Sequence, residues 1–112
     1  MGEVLYSQIG PVDVEGGKST LTMQVKRSLK SQAVSVGATA TALPTTPLQY
    51  RRTIMIINYG SNIVFIGAGD VTTANGFPLL PRAVMRIDVV DEVTVYGIVA
   101  TGTEECRILE GA

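Results

Sequence analysis

The chain is 112 residues long with a formal net charge of −1, 9 Lys and Arg against 10 Asp and Glu. That balance makes no field strong enough to draw in nucleic acid or an anionic membrane. The longest apolar runs are a few residues, far below the roughly 20 that a membrane-spanning helix needs.

Histidine is absent and cysteine occurs once, at Cys106. A Ser-His-Asp or Cys-His arrangement is thereby excluded, as are an intrachain disulfide and a cysteine-built zinc site. The cysteine usage fits synthesis in a reducing cytoplasm.

Val, Ile and Thr recur in short runs punctuated by Gly, Asn and Pro, and no long helical period appears. The pattern predicts an all-β antiparallel β-sandwich. Residues 1–18 read as an N-terminal arm, broken by Gly10-Pro11 and Gly16-Gly17, and residues 19–112 as a single domain. No basic region followed by an apolar one marks a secretory leader at Met1-Gly2-Glu3-Val4. Leu21, Met23 and Val25 then alternate with Thr20, Thr22, Gln24 and Lys26 in a one-sided strand, and Lys26, Arg27 and Lys30 form a basic patch. Val34, Val36, Ala38 and Ala40 make a second alternation, and Pro44 and Pro47 mark residues 43–48 as a connecting loop.

Residues 51–80 carry most of the information. Apolar runs at 54–57 and 63–66 flank Asn58-Tyr59-Gly60-Ser61-Asn62, the layout of a β-hairpin with a longer loop. Neither run alternates with polar residues. Ile54 and Ile56 take one face, Met55 and Ile57 the other, and Ile63 and Phe65 are likewise opposed by Val64 and Ile66. Two such faces both need cover. Charged residues make up only 17% of the chain, against roughly 25% in ordinary soluble domains. Between Thr53 and Pro81 the only charge is Asp70. Another copy of the same chain is the expected second cover.

Asn75-Gly76 signals a type I′ turn. Beyond it, Met85, Ile87 and Val89 alternate with Val84, Arg86 and Asp88. Val95, Gly97 and Val99 then oppose Thr94, Tyr96 and Ile98, and a last strand is expected over 105–110.

The candidate chemistry is thin. Cys106, among strand residues, reads as a small apolar group rather than a nucleophile. Asp88, Asp91 and Glu92, and the pair Glu104 and Glu105, read as solvated turns rather than an acid–base pair. A calcium site at Asp70 or Asp91 matches no known ligand spacing. Gly67-Ala68-Gly69 lacks the third glycine and following helix of a dinucleotide loop. Gly17-Lys18-Ser19 lacks the earlier glycine of a Walker loop. The basic cluster of Lys26, Arg27 and Lys30 reads either as a solvated strand end or as a contact for an acidic protein surface, and Arg51-Arg52 invites the same two readings. No cofactor and no metal is expected.

From Arg52 to Glu110 the chain resembles the small β-sandwich proteins of tailed-bacteriophage virions: capsid decoration (cement) proteins, head fibres and tail-fibre tips. The pattern is Arg52, then Ile54-Met55-Ile56-Ile57-Asn58-Tyr59-Gly60, Val64-Phe65-Ile66-Gly67 and the segment 71–79, closed by Tyr96-Gly97-Ile98 and Thr101-Gly102-Thr103. Pro81-Arg82 stands where that pattern often has Pro-Gly.

The resemblance implies a non-enzymatic homotrimer of jelly-roll type, made in the host cytoplasm and bound to the major capsid protein on the virion exterior. The alternative it leaves open is a receptor-binding or fibre-tip module, with loops around Tyr59 or Phe77 recognising a glycan or protein. On the decoration reading, Met55, Ile57, Tyr59, Val64 and Ile66 are expected at the subunit seam. Val4, Tyr6, Ile9, Lys26, Arg27 and Lys30 are expected to face the capsid.

Overall fold

The alternating patterns become two sheets in a computed structural model, which describes residues 28–112. Eight strands follow in chain order: β1 (Leu29–Val36), β2 (Thr41–Ala42), β3 (Thr53–Asn58), β4 (Val64–Gly67), β5 (Phe77–Leu79), β6 (Val84–Ile87), β7 (Tyr96–Ile98) and β8 (Glu104–Gly111). The first sheet has the order β1-β8-β3-β6 and the second β2-β7-β4-β5. Every pairing is antiparallel. No helix occurs among the described residues, so the fold is all-β and consistent with a β-sandwich.

Period-two alternation sets which side chains meet between the sheets. Val34 and Val36 of β1, Ile54 and Ile56 of β3, and Cys106 and Ile108 of β8 form one wall of the core. Val64 and Ile66 of β4 and Leu79 of β5, with Leu43, Val95 and Val99 beside them, form the other. Met85, Ile87 and Val89 pack against its margin, as their alternation predicts. Gly97 leaves room for Leu43 and Val64 beside it in the second wall. A Cβ there would stand 2.8 Å from Leu43 Cδ1 and 3.2 Å from Val64 Cγ1.

Three local expectations are corrected. The runs at 54–57 and 63–66 do not pair as a hairpin, because β3 and β4 lie in opposite sheets. Their inward residues share one core from its two sides, which the apolar content of each run alone does not distinguish from pairing. The alternation through Ala38 and Ala40 does not continue β1, which ends at Val36. Finally, neither Asn75 nor Gly76 adopts the positive φ that a type I′ turn demands. Thr72 organises that loop instead: its Oγ1 accepts from the N–H groups of Ala74 and Asn75, and its carbonyl accepts from Gly76.

Buried polar groups clamp the two ends. Where β3 begins, Arg51 is 1% exposed and its Nη1 donates to Glu110 Oε2 at 2.8 Å. Its Nε donates to Val89 O at 3.1 Å, and its Nη2 donates to Val90 O at 2.8 Å and Val93 O at 2.6 Å. Leu48 N–H adds a bond to the same carboxylate oxygen at 3.2 Å. The β2–β3 and β6–β7 connections, both crossing between sheets, are tied here to β8. Arg51 is therefore neither a solvated strand end nor a contact for an acidic partner. Four hydrogen bonds offset the cost of burying its charge.

Where β3 ends, buried Asn58 does the corresponding work. Its Nδ2 donates to Asn62 O at 2.7 Å and Leu79 O at 2.9 Å, and its Oδ1 accepts from Gly60 N–H at 3.0 Å. The β3–β4 and β5–β6 connections are thereby held together.

Candidate interaction surface

The outward face of the β1-β8-β3-β6 sheet is built by register. One cross-strand row runs Ser31, Leu109, Met55, Arg86, and the next runs Ala33, Arg107, Ile57, Val84. Aliphatic groups fill the middle of both rows. Met55 is 40% exposed, Leu109 42% and Val84 54%. Together with Ala33 and Ile57 they floor a shallow groove of about 560 Å³, with Arg107 on its lining.

Of the seam residues expected from the sequence, Met55 and Ile57 lie on this face. Val64 and Ile66 do not: they are 0% and 5% exposed and belong to the core. Placing them at a seam is corrected by the face of β4 that they occupy, where Phe65 is the residue turned outward. Leu109 and Val84 complete the stripe, and sequence reasoning missed both. The alternation of Cys106 and Ile108 against Arg107 and Leu109 in β8 carried a signal for the first.

Tyr59 follows β3 and is half exposed. The guanidinium carbons of Arg82 and Arg107 stand 4.4 Å and 4.5 Å from its ring centroid, a doubled cation–π contact. The Arg107 Nε also bonds Glu105 Oε2. Hydrogen bonding to Glu105 and its charge hold the Arg107 guanidinium above its ordinary pKa.

The neighbouring acid, Glu104, is a clamp rather than a solvated turn residue. Its Oε2 accepts from Asn62 Nδ2 at 2.5 Å and its Oε1 from Ser61 N–H at 3.0 Å. These bonds, the Asn62 side chain first, hold its carboxyl below the ordinary value. Gly60 makes room for it, since a Cβ there would collide with the carboxylate. Burial, followed by the charges of Glu104 and Glu105, pushes the Cys106 thiol up to about 11.

Of the residues expected to face a capsid, Lys30 donates from Nζ to Thr46 O at 2.7 Å. Val4, Tyr6, Ile9, Lys26 and Arg27, with the whole arm over 1–18 and the strand over 20–26, lie outside the described residues. Among the described residues no group of three His, Cys, Asp or Glu is close enough to share a metal ion. Compared with protein-family models and with curated proteins, the chain matches none.

Proposed function

We propose that this chain is a non-enzymatic structural protein of a phage virion, which binds the outer surface of a capsid as a homotrimer and reinforces it. The observation that carries the reading is the outward aliphatic stripe of Met55, Ile57, Val84 and Leu109, ringed by Ser31, Arg86 and Arg107. An apolar centre with a polar rim is the composition of a protein–protein seam.

The strand order supports the virion part. Two four-stranded antiparallel sheets of order 1-8-3-6 and 2-7-4-5 support the jelly-roll reading, an architecture used by viral capsid domains. In this reading the stripe is the centre of the subunit seam, and the N-terminal arm over residues 1–18, with Lys26, Arg27 and Lys30, faces the capsid. A trimer touching several capsid subunits gains through multivalency, because its weak contacts engage together.

The alternative, a receptor-binding tip, is supported by Phe77, which is 63% exposed beside the β4–β5 loop. Jelly rolls also serve as lectins. Pelleting with empty capsids separates the two. A decoration protein co-sediments with capsids, and a receptor-binding tip stays in the supernatant. Sedimentation of the free protein as a stable monomer at micromolar concentration would overturn the trimer.

A further inference from the structure

Asn75-Gly76 carries a reaction of its own. The chain has three asparagines, and only Asn75 precedes a glycine, since Asn58 and Asn62 precede Tyr59 and Ile63. In an Asn-Gly pair the backbone nitrogen of the glycine can attack the side-chain carbonyl carbon of the asparagine. A glycine has no Cβ to shield that nitrogen. Asn75 is exposed, so water reaches it, whereas Asn58 is buried.

The folded loop holds both reacting groups. Gly76 N–H, the nucleophile, donates its proton to Thr72 O at 2.9 Å. Asn75 Oδ1, on the electrophilic carbonyl, accepts from Thr72 N–H at 2.8 Å. Thr72 Oγ1 accepts from the N–H groups of Ala74 and Asn75, each at 3.2 Å. One residue thus ties down the nucleophile, the electrophile and the backbone between them. Gly76 also has little room to swing toward the Asn75 side chain. A Cβ there would stand 2.6 Å from Phe65 Cβ and 2.9 Å from Val71 Cγ2.

We propose that Asn75 is a site of spontaneous deamidation, held off in the folded loop by Thr72 and released when the loop opens. In the reaction the Gly76 nitrogen bonds to Asn75 Cγ and its proton passes to water. The Cγ–Nδ2 bond breaks, and the side-chain nitrogen leaves as ammonia. One water then opens the cyclic imide at either carbonyl. Opening at Cγ leaves aspartate, which keeps an oxygen for Thr72 N–H. Opening at the backbone carbonyl leaves isoaspartate, whose main chain runs through the side chain and is one carbon longer. That extra carbon falls beside Phe65 and Val71, where space is lacking, so isoaspartate frees the loop from β4.

Peptide mapping by mass spectrometry of the full-length protein, incubated near neutral pH, provides the test. In guanidinium chloride Asn75 should convert ahead of Asn58 and Asn62. In the native protein it should convert at least ~10-fold more slowly, because only the open loop reacts. Thr72→Val removes the Oγ1 acceptor and should speed native conversion. Thr72→Ser keeps that acceptor and should stay slow, which separates the hydroxyl from any general loosening of the loop.

Circular dichroism checks that both variants are folded, and should Thr72→Val unfold, Thr72→Ala is judged by the same outcomes. Equal rates in native and unfolded wild type would show that the loop holds nothing back. Native conversion no faster in Thr72→Val than in wild type would remove Thr72 from the lock. An unfolded chain with no preference for Asn75 would remove the site itself.

Discussion

Arg51 and Glu110 form an ion pair with neither side chain exposed, Nη1 to Oε2 at 2.8 Å. Arg51 lies just before β3 and Glu110 near the end of β8, and the β2–β3 and β6–β7 connections both hydrogen-bond to the pair. Glu110 Oε1 is buried without a partner, so the pair has little to spare if either charge is removed.

Arg51→Met should therefore destabilise the protein by about 3–5 kcal/mol, the typical cost of leaving one buried charge alone. Arg51→Met with Glu110→Leu should recover most of that loss. Recovery stays incomplete because the carbonyls of Val89, Val90 and Val93 lose their donor. Urea denaturation of the three variants against wild type checks both statements.

Asn58→Ala should cost about 3 kcal/mol in the same assay. It strips hydrogen bonds from two buried or half-buried carbonyls and one N–H, at roughly 1–3 kcal/mol for each buried group left unsatisfied. Because those groups lie in the β3–β4 and β5–β6 connections, amide exchange should accelerate there before it does in the middle of β8.

The Glu104 carboxyl is held below its ordinary value of 4.5 by Asn62 and Ser61. A carboxylate with a depressed folded pKa contributes stability that is present above the unfolded pKa and is lost as pH falls through the folded one. Glu104→Gln should thus lower the melting temperature at pH 7 and flatten its decline below about pH 4.5. Thermal melts of both proteins between pH 7 and pH 2.5 decide this. Parallel curves would rule the clamp out.

Gly97→Ala should cost about 1–3 kcal/mol by overpacking the space in front of Leu43 and Val64. Truncating Leu43 in the same chain should relieve part of the strain, which a double-mutant cycle measures directly.

Cys106 should resist alkylation. With its thiol at about 11, almost no thiolate exists at pH 8. Iodoacetamide should label the native protein at least ~10-fold more slowly than the urea-unfolded chain. Rapid native labelling would show that β8 opens readily.

Most of the strand content was legible, because alternation is a local property. The inward sets Ile54 and Ile56, Met85 and Ile87, and Val95 and Val99 follow from period two alone. Asn58 and Arg51 were not legible. An asparagine after an apolar run reads as a turn residue and an arginine before one reads as solvent-facing. Only the four hydrogen bonds around Arg51 and the three made by the Asn58 side chain show that both are interior.

By itself the sequence determined an all-β chain with no histidine, one cysteine and too few charges around residues 54–66 to leave both faces of those runs in water. Tertiary structure alone decided that the two runs belong to opposite sheets, which turns Val64 and Ile66 inward and leaves Met55 and Ile57 outside. The physical reason is that side-chain alternation is written within a strand, whereas the choice of partner strand depends on where the connections cross. Those crossings are held by Asn58 and by the Arg51–Glu110 pair, contacts that span up to 62 residues of chain.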